Sequence, residues 1–245
     1  MRYFLRLSYN GTHYNGWQIQ KTGLSIEEIL EKCLSHMLSK PIHTIGAGRT
    51  DKGVHAKEFF AHLDYEKQLD KKFFIRLNAF LPNDITVSSF YLVAPLAHAR
   101  YSVKSRTYLY RIAFSKITFY NELSWECQHE LLNLYLMNKA SEILKKYNNF
   151  SSFCKYNISN CYANIEYARW GYKEGKLLFE IKANRFLRNM VRCLIGTLLN
   201  VGKKIINIKQ FSYILEAKDN LLSGFLAPAK GLLLRRVCYP KAIFL

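Results

Sequence analysis

Acidic side chains are scarce in this chain: 18 Asp+Glu stand against 36 Lys+Arg, a formal net charge of +18 over 245 residues. A field of that sign attracts polyanions and steers their encounter. Metal-ligand patterns are missing as well. There is no C-x-x-C pair and no H-E-x-x-H helix, and the seven histidines are scattered, so the sequence supports no metal site. The longest uncharged apolar run, Cys193 to Gly202, is half of the roughly 20 residues that a membrane span requires. No secretory apolar region follows Met1-Arg2, so the six cysteines read as reduced, buried thiols of a cytosolic protein, with Cys33 and Cys193 on apolar helix faces. Nor is there a convincing internal repeat. What is abundant is aromatic: 17 Tyr and 16 Phe bring that class to 15%, a supply of stacking surfaces suited to unpaired bases. With 49% hydrophobic and 22% charged residues the chain is an ordinary globular one, as one large domain or two small ones, and nucleic acid is its expected partner.

The stretch Gly46-Ala47-Gly48-Arg49-Thr50-Asp51-Lys52-Gly53-Val54-His55-Ala56 is polar and glycine-rich between two strand-like runs, where scaffolds place chemistry. A phosphate-binding loop needs glycine and Ser/Thr where Asp51 and Gly53 stand, and a carboxylate aimed into a nest of amides repels phosphate. The dinucleotide fingerprint fails at Asp51 too. Two readings are left: a hairpin turn capped by Asp51, or an exposed carboxylate nucleophile or base held beside Arg49.

Alternation of Tyr3, Leu5, Leu7 and Tyr9 predicts a half-buried strand over 2–9. Ser25 and Glu28 form a capping-box pattern ahead of an apolar stripe from Ile26 to Leu38, which predicts a helix. Further elements are predicted as a strand over 58–65, a helix over 71–80 ending before Pro82, and a strand over 85–93. That order resembles a split βαβ sandwich. Ala94-Pro95 marks the only plausible boundary, dividing a half at 1–95 that carries the Asp51 loop from a half at 96–245. In the second, strands are expected at 107–114, 165–172, 177–183 and 232–239, and helices at 131–147, 190–200 and 211–217.

Several motifs fall in order along the chain. They are the run from Tyr9 to Gln18, Gly48-Arg49-Thr50-Asp51-Lys52-Gly53-Val54-His55-Ala56, Leu77-Asn78-Ala79-Phe80-Leu81-Pro82, His98-Ala99-Arg100, Tyr108-Leu109-Tyr110, the run from Ala183 to Arg192, and Pro228-Ala229-Lys230-Gly231-Leu232. Together they resemble the tRNA pseudouridine synthase A family over nearly the whole chain. The resemblance implies an α+β fold of two ferredoxin-like sheet-and-helix halves, with a mixed, mostly antiparallel central sheet and a cleft between them. It also implies isomerisation of uridine to pseudouridine at positions 38, 39 and 40 of the tRNA anticodon stem-loop, by a cytoplasmic homodimer that needs no metal or organic cofactor.

By matching position, Asp51 corresponds to the family's catalytic aspartate and Arg49 to the residue that fills the gap left by the flipped uridine. Tyr108 corresponds to the tyrosine that stacks on the target base, with Tyr110 on the same strand face as a second choice. Arg192 corresponds to an arginine that keeps the carboxylate ionised. Lys52, Arg100, Lys104, Arg106 and Arg188 are candidate contacts to the RNA backbone. The carboxylate can attack ribose or uracil, or act after loss of a 2′ proton, and the residues do not choose among these. Departures from the family pattern fall at Asn10, Ala97, Arg188-Asn189, Leu233 and Cys238. Two other readings share the same residues: a non-catalytic RNA-binding protein of this fold, and a synthase acting on another RNA.

Overall fold

The computed structural model describes residues 1–116, 121–127, 131–154 and 160–245. In chain order the elements are β1 (Arg2–Tyr9), α1 (Ile26–Leu38), β2 (Ile45–Gly46), β3 (His55–Asp64), α2 (Lys71–Phe80), β4 (Ile85–Val93) and β5 (Ser105–Ala113). They continue with β6 (Trp125–Glu126), α3 (Leu134–Ile143), β7 (Ile165–Lys173), β8 (Lys176–Ala183), α4 (Met190–Gly202), α5 (Ile208–Ala217) and β9 (Leu232–Cys238). The fold is α+β, with mostly antiparallel strands. Its contacts gather into two compact units, Met1–Lys104 with Leu233–Leu245, and Ser105–Leu232.

In the first unit β1 lies between β3 and β4 and is antiparallel to both. β9 adds to β3 in parallel, pairing His55 with Leu233 and Ala56 with Leu234. A strand covered on its second face buries more than an alternating pattern suggests, and β1 differs from the prediction at Phe4. That ring is fully buried, not solvent-facing, because Tyr239 and Phe244 from the chain's end pack over it at 5.2 and 6.2 Å between centroids. Helix α1 starts where predicted, with Ser25 Oγ accepting the Glu28 amide at 3.2 Å. The Glu28 carboxylate pairs with Lys32 one turn on, and a capping box with both bonds present is found at Asn207 and Gln210. That cap starts α5 at Ile208, three residues before the predicted 211.

The second unit is built on the antiparallel strands β5, β8 and β7, with β8 in the middle. Helix α3 packs on β7 and α4. It is shorter than predicted, giving way to a 3₁₀ turn at Leu144–Lys146. Helix α4 is apolar nearly all round and mostly buried, as expected for a helix covered on several sides. Phe150, Phe153, Phe179, Phe211 and Tyr110 are its unit's largest fully buried side chains. Of the thiols, Cys154 and Cys161 are buried, while Cys33 and Cys193, expected to be buried, are only half-buried with Cys127 and Cys238.

Candidate active site

Asp51 stands in the turn that feeds β3, half-buried, between exposed Arg49 and Lys52. Its backbone shape is set by Gly53, whose φ of 77° is one that side-chain-bearing residues avoid. The Val54 amide closes the turn on the Asp51 carbonyl at 3.1 Å. A second loop, Asn10 to Gln18, forms the bed beneath it. The Gly53 amide donates to the Tyr14 carbonyl at 3.2 Å, and the Trp17 amide to the Thr50 carbonyl at 3.4 Å. The Gly11 amide donates to Nδ1 of His55 at 3.1 Å, and the Tyr9 and Thr50 hydroxyls lie 3.0 Å apart. Asp51 therefore sits between Thr50 and Gly53, both tied to the loop before α1.

That bed is itself anchored. The Trp17 ring is 2% exposed, packs at 4.2 Å on Phe59, and donates its indole N–H to Glu27 at 3.1 Å. The second Glu27 oxygen accepts the Ile19 amide at 3.0 Å. Burial raises the Glu27 carboxyl above the usual range; Glu31 adds to this, while the Ile19 amide, the Trp17 indole and the charge of Arg49 oppose it. Tyr14 donates its hydroxyl to Asp84 at 2.6 Å, and burial first, then that carboxylate, push the phenol well above its ordinary value. Sequence reasoning assigned no role to Tyr9, Tyr14, Trp17 or His55. The signal was there in Gly11 and Gly16: a methyl at Gly16 would sit 2.1 Å from the Thr50 carbonyl oxygen, so only glycine lets the two loops touch.

In the second unit Tyr108 lies on β5 at 9% exposure with Phe186 edge-on at 5.1 Å. Phe186 belongs to the turn before α4, which is held by Asn184: its side chain accepts the amides of Asn164 and Arg185, each at 2.8 Å. Tyr110, two residues on, is fully buried. Its hydroxyl donates to the Pro228 carbonyl at 2.8 Å, and burial drives the phenol far above its usual range, against the opposing charge of Arg192. A Cβ on Gly231 would meet the Tyr110 ring at 2.6 Å. This tyrosine braces the segment 227–231 from inside.

Arg192, in the first turn of α4, is half-buried rather than a solvated helix-surface cation. Its Nε donates to the Ala227 carbonyl at 2.6 Å, and the Ala227 amide returns a bond to the Arg192 carbonyl at 3.3 Å. Carbonyls 227 and 228 thus hold Arg192 and Tyr110, a use of the Pro228–Leu232 motif that its sequence did not disclose. Arg100 and Arg188 are exposed, as are Arg49 and Lys52; Lys104 is exposed and Arg106 reaches the Asn184 carbonyl at 3.2 Å. Among the described residues no group of three or more His, Cys, Asp or Glu could hold a metal ion, and no helix is long and apolar enough to cross a membrane.

A profile of the tRNA pseudouridine synthase family matches residues 146–240. Full-length relatives extend the similarity to the Asp51 half. The tRNA pseudouridine synthase A of Azobacteroides pseudotrichonymphae is 43% identical over 247 residues, covering 99% of this chain and 98% of the relative. That of Bacteroides fragilis is 43% identical over 248 residues with the same coverage. The Parabacteroides distasonis protein of that name is 40% identical over 249 residues, again covering 99% and 98%.

Proposed function

The chain belongs to the tRNA pseudouridine synthase A family, and we propose on that premise that it isomerises uridine to pseudouridine in tRNA, at positions 38, 39 and 40 of the anticodon stem-loop. The observation that carries this is similarity end to end, at 40–43% identity, to relatives of that name. Asp51 is the nucleophile. A half-buried carboxylate in a turn braced by a second loop is fixed in aim yet open to a substrate. In the reaction the Asp51 carboxylate bonds to the substrate and leaves again before release, while the C1′–N1 bond breaks, the uracil turns, and a C1′–C5 bond forms. The C5 proton leaves and N1 gains one, so the balance closes with no oxidant or reductant.

Tyr108 stacks on the displaced uracil, a role suited to a ring steadied edge-on by Phe186. Arg192 is a further catalytic residue, and its tether to Ala227 fixes the guanidinium. Exposed Arg49 occupies the gap in the RNA stack, and Lys52, Arg100 and Arg188 meet phosphates. Tyr110, buried and bonded to the Pro228 carbonyl, braces the segment 227–231. We place the enzyme in the cytoplasm as a homodimer; sedimentation should give twice the chain mass. Mapping pseudouridine in the tRNA, rRNA and small RNA of a deletion strain tests the substrate. Loss at tRNA positions 38, 39 and 40 is expected, and loss confined to rRNA would overturn the assignment.

A further inference from the structure

The turn after Pro95 is fixed far more tightly than a chain reversal needs. The Ala97 amide donates to the Ala94 carbonyl at 2.8 Å, and the Ala97 carbonyl accepts Nη1 of Arg2 at 3.0 Å. Nδ1 of His98 accepts the amides of Arg100 and Tyr101 at 3.1 and 3.3 Å, and the His98 amide donates to Ser102 Oγ at 3.0 Å. Nδ1 of His62, on β3, accepts the Ala99 amide at 3.1 Å, while the Ala99 carbonyl takes the Tyr239 hydroxyl at 2.5 Å. In an ordinary surface turn water would satisfy such amides. Here protein side chains satisfy them, two of them imidazoles that must be neutral to accept at Nδ1.

Rings continue the construction outward. Phe4 stacks on His62 at 6.0 Å, His62 meets His98 at 4.8 Å, and His98 meets Tyr101 at 4.4 Å. The ladder ends in solvent: Tyr101 is 75% exposed, with the Arg100 guanidinium 5.6 Å from its centroid. An exposed tyrosine on a mobile loop would be unremarkable. One held on a ladder rooted in buried Phe4 and His62, beside an exposed arginine and on a chain of charge +18, is preorganised for an aromatic, anionic ligand.

We propose that Tyr101 is a stacking platform for an unpaired base of the substrate RNA, that Arg100 takes the phosphate next to that base, and that His62 and His98 are positioning residues for both. The proposal rests on the tRNA reading above and adds a second point of grip to it. That base is not the target uridine. His62 lies seven residues along β3 from His55, where the Asp51 turn ends, which is roughly 20 Å of strand.

The test compares Tyr101→Ala, Tyr101→Phe and Tyr101→Trp for binding to an unmodified tRNA transcript and to a fully paired RNA duplex of equal length, with steady-state turnover on the tRNA. Loss of one stacked base should raise Kd and KM of the Ala variant for tRNA about 10- to 100-fold, with kcat and duplex affinity within about two-fold of the parent. The Phe and Trp variants should match the parent, and the added indole should be quenched on binding tRNA. His62→Asn, which puts Oδ1 where Nδ1 was, should also match the parent, while His62→Ala should shift KM in the same direction as Tyr101→Ala. Equal tRNA affinity for Tyr101→Ala and the parent, equal losses on tRNA and duplex, or an unquenched indole would overturn the platform. If instead the parent binds tRNA through Tyr101 but forms no pseudouridine, the catalytic reading fails and the platform stands.

Discussion

Among single side chains, His62 carries the clearest pH signature. Burial, aided by the charges of Arg2 and His98 and opposed by Asp64, lowers its pKa from 6.5 to about 4. The unfolded chain therefore takes a proton near pH 6.5 that the folded chain refuses until about pH 4. Protonation favours the unfolded state across that window. The contribution of neutral His62 is complete above pH 6.5, and about 3 kcal/mol of stability is lost by pH 4. Denaturant titrations at pH 7 and pH 4.5 should show this fall, and His62→Asn should remove most of its slope. An unchanged slope in the variant would assign the acid sensitivity elsewhere. At this scale the site was partly legible. Asp51 stood out because a carboxylate excluded both phosphate-binding patterns. The roles of His55 and His62 were not legible, since each imidazole accepts an amide from a loop 44 or 37 residues away.

Local rules fixed some elements and not others. Helices α1 and α2 start where expected because caps and apolar spacing are written in neighbouring residues: Ser25 caps the N-terminus of one and Asp70, accepting the Phe73 amide at 2.6 Å, that of the other. Replacing Ser25 by Ala should cost about 1 kcal/mol, read as a lower denaturant midpoint with an unchanged slope. Strand β3 begins at His55, earlier than the predicted 58, because Ala56 pairs with Tyr9 and Leu234, partners no local pattern reveals. The contact of the loop after β1 with the Asp51 turn gives a second prediction. Gly16→Ala puts a methyl 2.1 Å from the Thr50 carbonyl at a φ of 82°, so the turn must shift. The variant should fold with reduced stability and lose at least about ten-fold in kcat, since a misplacement near 1 Å costs up to about a hundred-fold. A kcat equal to the parent's would show that the bed does not aim Asp51.

For the whole molecule, a charge of +18 makes binding an ionic exchange as much as a fit. If six or more phosphates are neutralised, tRNA affinity should fall by about a thousand-fold between about 50 and 200 mM salt. A flat salt profile would remove the polyanion reading of the composition. Length, charge and ordered motifs made the fold class and family legible. The addition of β9 in parallel to β3 was not, because that pairing joins residues almost 180 positions apart and parallel partners need long crossovers rather than a local turn. Catalysis turns on one carboxylate, and tritium release from tRNA labelled at C5 of uridine tests its role. The parent should release tritium as pseudouridine forms. Asp51→Asn should release none while keeping tRNA affinity within a few-fold; continued release from that variant would contradict the account.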